Sequence, residues 1–118
     1  MKSPELKIGT HILLEFCKGD SKQLNDHDHL CGVLRSAATQ AKMHIIKESS
    51  HRFEPQGVTA ILLIAESHIS IHTWPEHKSC AVDIYCCKSK EKAMQAAEYI
   101  KGQIAGTVTE RVIDRVLA

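Results

Sequence analysis

The chain has 118 residues, 43% hydrophobic and 25% charged, the make-up of one globular domain spanning 1–118 without repeats or low-complexity tracts. A net charge of +1 argues against a nucleic-acid partner, and no apolar run approaches the roughly 18–20 residues needed to cross a bilayer. The segment Met1–Lys7 lacks the apolar core of a signal peptide, so a cytoplasmic location with no membrane partner is expected.

His11 to Cys17 reads as a mostly buried strand. Gly19-Asp20-Ser21 then supplies a turn and a helix N-cap. Leu30, Val33, Leu34, Ala37 and Ala41 follow helical spacing, which predicts one amphipathic helix over 21–42. Residues 44–54 alternate as a second strand, and Pro55-Gln56-Gly57 turns the chain. Val58 to Ala65 is a continuous apolar run of strand length, expected to be central in a sheet. Ile69 and Ile71 alternate with His68, Ser70 and His72, the period of a further strand. After a turn at 75–78, residues 80–87 alternate again. Ser89 can cap a second helix carrying Ala93, Ala97, Ile100 and Ile104, with Gly106 as its stop, and 107–116 form a last strand.

The order β-α-β-β-β-β-α-β predicts an α+β fold, a two-layer α/β sandwich. Its largely antiparallel six-stranded sheet has two helices on one face. The other face would hold His68, His72, Trp74, Asp83 and Tyr85 and be left to solvent or to a second subunit.

The stretch Glu66-Ser67-His68-Ile69-Ser70-Ile71-His72-Thr73-Trp74-Pro75-Glu76 concentrates polar groups where a strand should be hiding. The strands on either side of the 75–78 turn should form a hairpin. A short turn makes the numbers of paired residues sum to about 153 or 155. His72 then faces Ala81 or Asp83, and Cys87 returns to Glu66 or His68.

That cluster permits an unusual reaction. A serine hydroxyl can attack the carbonyl of the preceding residue to give an ester. A base then removes the serine α-proton, the upstream chain leaves as a carboxylate, and the dehydroalanine left behind hydrolyses to a pyruvoyl group. Such a ketone can condense with a substrate amine and act as an electron sink for decarboxylation. An imidazole such as that of His72 suits the base role because it titrates near neutral pH. A thiol such as Cys87 can return a proton.

Other readings compete. His68 and His72 share a face but lie about 13 Å apart along a strand, too far to share a metal ion, and no metal site is expected. His27 and His29 flank Asp28 in a solvated first turn of helix. No Gly-x-Ser-x-Gly elbow surrounds Ser67, which argues against a hydrolase nucleophile. The five cysteines Cys17, Cys31, Cys80, Cys86 and Cys87 contain no Cys-x-x-Cys pair, and most are expected as free thiols. Phe53 and Trp74 either fill core or are held for a ligand. Lys88-Ser89-Lys90-Glu91-Lys92 reads as a solvated helix start.

Most of the chain resembles the small prokaryotic pyruvoyl-dependent S-adenosylmethionine decarboxylases. The similarity lies in Gly9 to Phe16, His51 to Val58, Glu66 to Glu76, Ala81 to Ile84, and Cys87. The resemblance implies self-cleavage between Glu66 and Ser67 into chains 1–66 and 67–118. Ser67 would become the covalent pyruvoyl cofactor, His72 would assist processing, and Cys87 would donate the proton in decarboxylation. Phe53 and Trp74 would stack on adenine and Glu76 would hold the ribose hydroxyls. The implied substrate is S-adenosylmethionine, decarboxylated to the aminopropyl donor of spermidine synthesis. The expected assembly is a homodimer across the uncovered sheet face.

The chain departs from the family in places. Thr59 stands where a processing serine is usual; it keeps the hydroxyl but restricts its rotamer. Lys88 stands where a glycine often follows the catalytic cysteine, and Glu76 to Cys80 is poorer in glycine than usual. These departures leave open a free basic amino acid, ornithine or arginine, as substrate, or a homologue that never cleaves.

Overall fold

In a computed structural model the described residues are 5–117; Met1 to Pro4, part of the amino-terminal segment considered above, and Ala118 lie outside them. Six strands are connected in the order β1 (Leu6–Cys17), α1 (Ser21–Leu24), α2 (His27–Gln40), β2 (Ile45–Arg52), β3 (Val58–Ile64), β4 (Ser67–Trp74), a 3-10 turn (Pro75–His77), β5 (Ser79–Cys86), α3 (Lys90–Gln103) and β6 (Thr107–Leu117). They form one sheet ordered β2-β3-β4-β5-β1-β6. Every neighbouring pair is antiparallel. The expected α+β sandwich is the architecture observed.

The core lies between one face of the sheet and the two long helices. Ile12, Leu14, Ile69, Ile71 and Ile84 from the strands meet Leu30, Leu34 and Ile100 from α2 and α3, each no more than 2% exposed. Burying a side chain of this size contributes about 1.5–3 kcal/mol. The alternation predicted for β5 holds: Cys80, Val82, Ile84 and Cys86 are buried, while Ala81, Asp83 and Tyr85 are half-exposed on the other face.

Three expectations need correction. The single helix over 21–42 is two helices. Asn25 turns its side-chain oxygen to the Gly57 N–H at 2.9 Å, and Asp26 starts a new helix by accepting from the His29 N–H at 3.1 Å. Such short polar side chains compete with helical hydrogen bonding, so the Asn-Asp pair interrupts what the apolar spacing alone would continue. The first strand begins at Leu6, five residues earlier than read, because it pairs along its length with β6.

The third correction concerns β3, which lies one place in from the sheet edge and is buried on one face only. Ile61 and Leu63 are 43% and 47% exposed, since no helix covers that side. Helix α3 starts where expected: Ser89 caps it by accepting from the Lys92 N–H at 3.2 Å. Among the described residues no helix is long and apolar enough to cross a membrane.

Candidate active site

The sheet carries the candidate residues in two clusters at opposite ends of β4. The first is built on the two-residue turn joining β3 to β4. Ile64 pairs with Ser67 across that turn, and Ser67 pairs with Cys86 on β5. Paired numbers on β4 and β5 therefore sum to 153, one of the two expected registers, and His72 faces Ala81. Cys87 returns to the Glu66–Ser67 bond as expected. Its backbone N–H donates to the Glu66 carbonyl oxygen at 2.9 Å. That carbonyl is the one a Ser67 hydroxyl would attack, and a donor aimed at its oxygen would stabilise the resulting oxyanion.

Ser67 has a φ of 150°, in the region that favours glycine. A serine held there carries backbone strain of about 1–3 kcal/mol and persists only where its surroundings fix it. Among the described residues four non-glycine positions have positive φ. One of the others is Lys78, at 50° in the glycine-poor turn before β5.

The Glu66 side chain is 6% exposed. Its carboxylate accepts from the His44 N–H at 3.1 Å, from the His44 ring Nδ1 at 3.1 Å and from Lys92 Nζ at 3.5 Å. The bond from the His44 backbone leads in drawing its pKa from the ordinary 4.5 to about 2; burial opposes this, and the His44 ring and Lys92 assist. Neither His44 nor Lys92 was legible as a site residue. Lys92 reads as a solvated residue of a helix start, and only the packing of α3 against the β3–β4 turn reveals its partner.

Beside Cys87 lies a cleft of about 260 Å³ lined by Lys7, Gly9, Lys88 and Lys90. The Cys87 residue itself is exposed, whereas Cys31, Cys80 and Cys86 are buried.

The second cluster sits at the other end of β4. Thr59 on β3 faces His72 across the strands, and its hydroxyl lies 3.1 Å from His72 Nδ1. Phe53, Thr59, His72, Trp74 and Glu76 all line one cleft of about 370 Å³. Phe53 and Trp74 are each 46% exposed, so the core-filling reading fails; the Phe53 ring packs against His51 at 4.6 Å, and the exposed parts of both rings can meet a ligand. Glu76 is carried by the 3-10 turn that closes this end.

The structure does not bring the two clusters together within one chain. Five residue steps along the strand separate Ser67 from His72, about 16 Å at the usual rise. A direct role for His72 at the Ser67 of its own chain is therefore out of reach. The strand geometry that sets His68 apart from His72 sets Ser67 apart as well.

A third group lies between the clusters on the open face. Asp83 Oδ2 meets His11 Nε2 at 3.0 Å and His68 Nε2 at 3.3 Å, and Ser70 donates to its other oxygen. Burial would raise the Asp83 carboxyl, but these hydrogen bonds outweigh it and hold its pKa below the ordinary value. The donor atoms of His11, His68 and Asp83 lie within 4.8 Å of one another, close enough to surround a cation. Arg115 lies 3.4 Å from His11 Nδ1. A guanidinium only donates, so that nitrogen accepts and the ring proton sits on Nε2, toward Asp83. The group is thus a satisfied hydrogen-bond network. His11 was missed in the sequence because its partners are 57 and 72 residues away.

Comparisons with known proteins bear on the family and the fold. The family described as S-adenosylmethionine decarboxylase matches residues 10–115. The chain is 41% identical over 97 residues to the S-adenosylmethionine decarboxylase proenzyme of Prochlorococcus marinus, covering 82% of this chain and 78% of that one. It is 40% identical over 96 residues to the proenzyme of the same name from Sulfurihydrogenibium, covering 81% and 72%. The crystal structure of the adenosylmethionine decarboxylase from Aquifex aeolicus is similar with a TM-score of 0.89 at 33% identity, covering 96% of this chain and 94% of that one.

Proposed function

Since the chain belongs to the S-adenosylmethionine decarboxylase family, we propose that it is a proenzyme that cleaves itself between Glu66 and Ser67 and then decarboxylates S-adenosylmethionine, yielding the aminopropyl donor for spermidine synthesis. The observation that carries the reading is the Glu66–Ser67 peptide itself. A serine at a φ of 150° follows a carbonyl already bonded to the Cys87 N–H.

In the first step the Ser67 hydroxyl oxygen bonds to the Glu66 carbonyl carbon. The C–N bond breaks, and the nitrogen takes up a proton to become an amine. In the second step a base removes the Ser67 α-proton, the Cβ–O bond breaks, and residues 1–66 leave with a new carboxylate. The dehydroalanine left behind takes a proton at Cβ and loses one from nitrogen to become an imine, which water hydrolyses to a ketone and ammonia. The residues around Ser67 fit such a pyruvoyl group, which would supply an electron sink for decarboxylation. Lys7, Lys88 and Lys90 beside Cys87 make the adjoining cleft favourable to a substrate carboxylate. Cys87 is the proton donor to the decarboxylated carbon.

His72 and Thr59 act from a second copy of the chain. The uncovered sheet face exposes Ile61, Leu63, Trp74 and Ile113, apolar area that a partner would bury. A two-fold axis lying between two such faces and across the strands reverses strand direction. It would set the Ser67 end of one chain over the His72 end of the other. The same operation carries the Phe53, Trp74 and Glu76 cleft to the partner's Ser67, so adenosine and the reacting carbon would be held by different chains.

S-adenosylmethionine is favoured over ornithine or arginine. Two exposed aromatic planes suit adenine, and Asp83, the acid a second cationic end would need, is already bonded to His11, His68 and Ser70. The test is carbon dioxide release from S-adenosylmethionine, ornithine and arginine by processed enzyme. Release from S-adenosylmethionine alone is expected, with Phe53→Ala raising its KM. Turnover of only the free amino acids would overturn the substrate while leaving the cleavage reaction standing.

A further inference from the structure

Strain at a single residue dissipates unless both of its flanks are fixed. Downstream, Ser67 is locked by its pairing with Cys86 and by the β4–β5 ladder. Upstream there is only the turn Ala65–Glu66, which a strand end would ordinarily leave mobile. Three contacts hold it. The Ala65 N–H donates to the His44 carbonyl at 2.8 Å, the Glu66 carbonyl accepts from Cys87, and the Glu66 carboxylate is gripped by His44 and Lys92. Lys92 Nζ also donates to the Lys42 carbonyl at 3.0 Å, which ties α3 to the turn after α2 through the same ammonium. The carboxylate is buried while the His44 side chain is 78% exposed and Lys92 is 31% exposed. The grip thus reaches a buried group from one solvated side chain and one half-buried one.

We propose that Lys92, assisted by His44, is a positioning residue for self-cleavage that acts through the Glu66 side chain to hold the Glu66–Ser67 peptide in its strained, attackable form. The inference rests on the cleavage reading above. It concerns the first step alone, in which the Ser67 oxygen bonds to the Glu66 carbon and the C–N bond breaks with the proton passing to nitrogen. Neither Lys92 nor His44 need touch a reacting atom. The clamp has a second consequence. When the ester is broken, residue 66 becomes a chain end carrying an α-carboxylate, and its side chain stays anchored to α3. The cleaved chain therefore keeps its place in the sheet.

The experiment follows cleavage of freshly refolded full-length chain by intact mass, comparing wild type with Lys92→Met, Lys92→Arg and His44→Ala. Lys92→Met keeps the apolar stem and removes the charge. Its cleavage should be several-fold slower, less than a full charge-assisted hydrogen bond would give because the contact to Glu66 is 3.5 Å long. Lys92→Arg should recover most of the rate, and His44→Ala should lose about two- to five-fold while keeping the backbone bond. Hydroxylamine should not rescue Lys92→Met, because the block lies before the ester. Thermal melting of each variant in a Ser67→Ala background separates slow cleavage from unfolding. Should Lys92→Met not fold, the His44→Ala rate, which alters an exposed side chain, decides. Wild-type rates in both variants, rescue by hydroxylamine, or a rate loss that only tracks melting would overturn the clamp. Failure of wild type itself to cleave would instead overturn the cleavage reading.

Discussion

Mixing Ser67→Ala and His72→Ala chains tests whether the imidazole acts across a dimer. The two residues are about 16 Å apart along one strand, against the roughly 3 Å that proton transfer through a hydrogen bond requires. Alone, Ser67→Ala has no hydroxyl to attack with, and His72→Ala has no imidazole in either site. In a heterodimer, one site combines the Ser67 of the His72→Ala chain with the His72 of the Ser67→Ala chain, and that site is complete. When the two are refolded together in equal amounts, about half of the His72→Ala chains should have a Ser67→Ala partner by free assortment. About half of that chain should therefore be cleaved, and none of the Ser67→Ala chain. Differently tagged chains make the products separable by mass. The reasoning is refuted if heterodimers form and no cleavage appears, or if His72→Ala alone cleaves at the wild-type rate.

Other outcomes follow from the same geometry. Thr59→Val removes the hydroxyl that orients His72, a bond of about 1 kcal/mol, so cleavage timed on denaturing gels should slow about five-fold, while Thr59→Ser should match or exceed wild type. Cys87→Ala keeps the backbone N–H on the Glu66 carbonyl, so it should still cleave but lose most carbon dioxide release; equal loss of both would remove the separate proton-donor role. The depressed Glu66 carboxyl contributes stability that is complete above its ordinary 4.5 and is lost as pH falls toward about 2. In a Ser67→Ala background, the urea midpoint should therefore exceed that of the Ser67→Ala, Glu66→Gln double variant at pH 6, and the gap should close toward pH 2. Sedimentation at micromolar concentration should give a dimer, and Leu63→Asp, on the exposed apolar face, should shift it to monomer; a wild-type monomer with full activity would sink the shared-site arrangement.

Much of this was legible because alternation and turn spacing are local. The sheet face of each β5 residue and the Ser89 cap follow from counting, since side chains on a strand alternate strictly, and the short turn narrowed the β4–β5 register to two sums, of which 153 is the one observed. The helix break at Asn25 and Asp26 was hidden because apolar spacing ran through it, while the deciding hydrogen bond goes to Gly57, 32 residues away. Phe53 and Trp74 stayed ambiguous because exposure depends on which face the helices cover. His11, His44 and Lys92 were invisible for the same kind of reason: each owes its meaning to a partner brought near only by strand order or helix packing. The sharpest lesson is His72. Sequence proximity to Ser67 suggested a shared site, and the extended strand between them forbids it in one chain.

Intact mass of the purified wild-type chain is the most direct measurement. Two species are expected after incubation, residues 1–66 ending in a free carboxylate and residues 67–118 beginning with a pyruvoyl group that blocks Edman degradation, with Ser67→Ala remaining whole. A wild-type chain that keeps its full 13.1 kDa mass after prolonged incubation would contradict it.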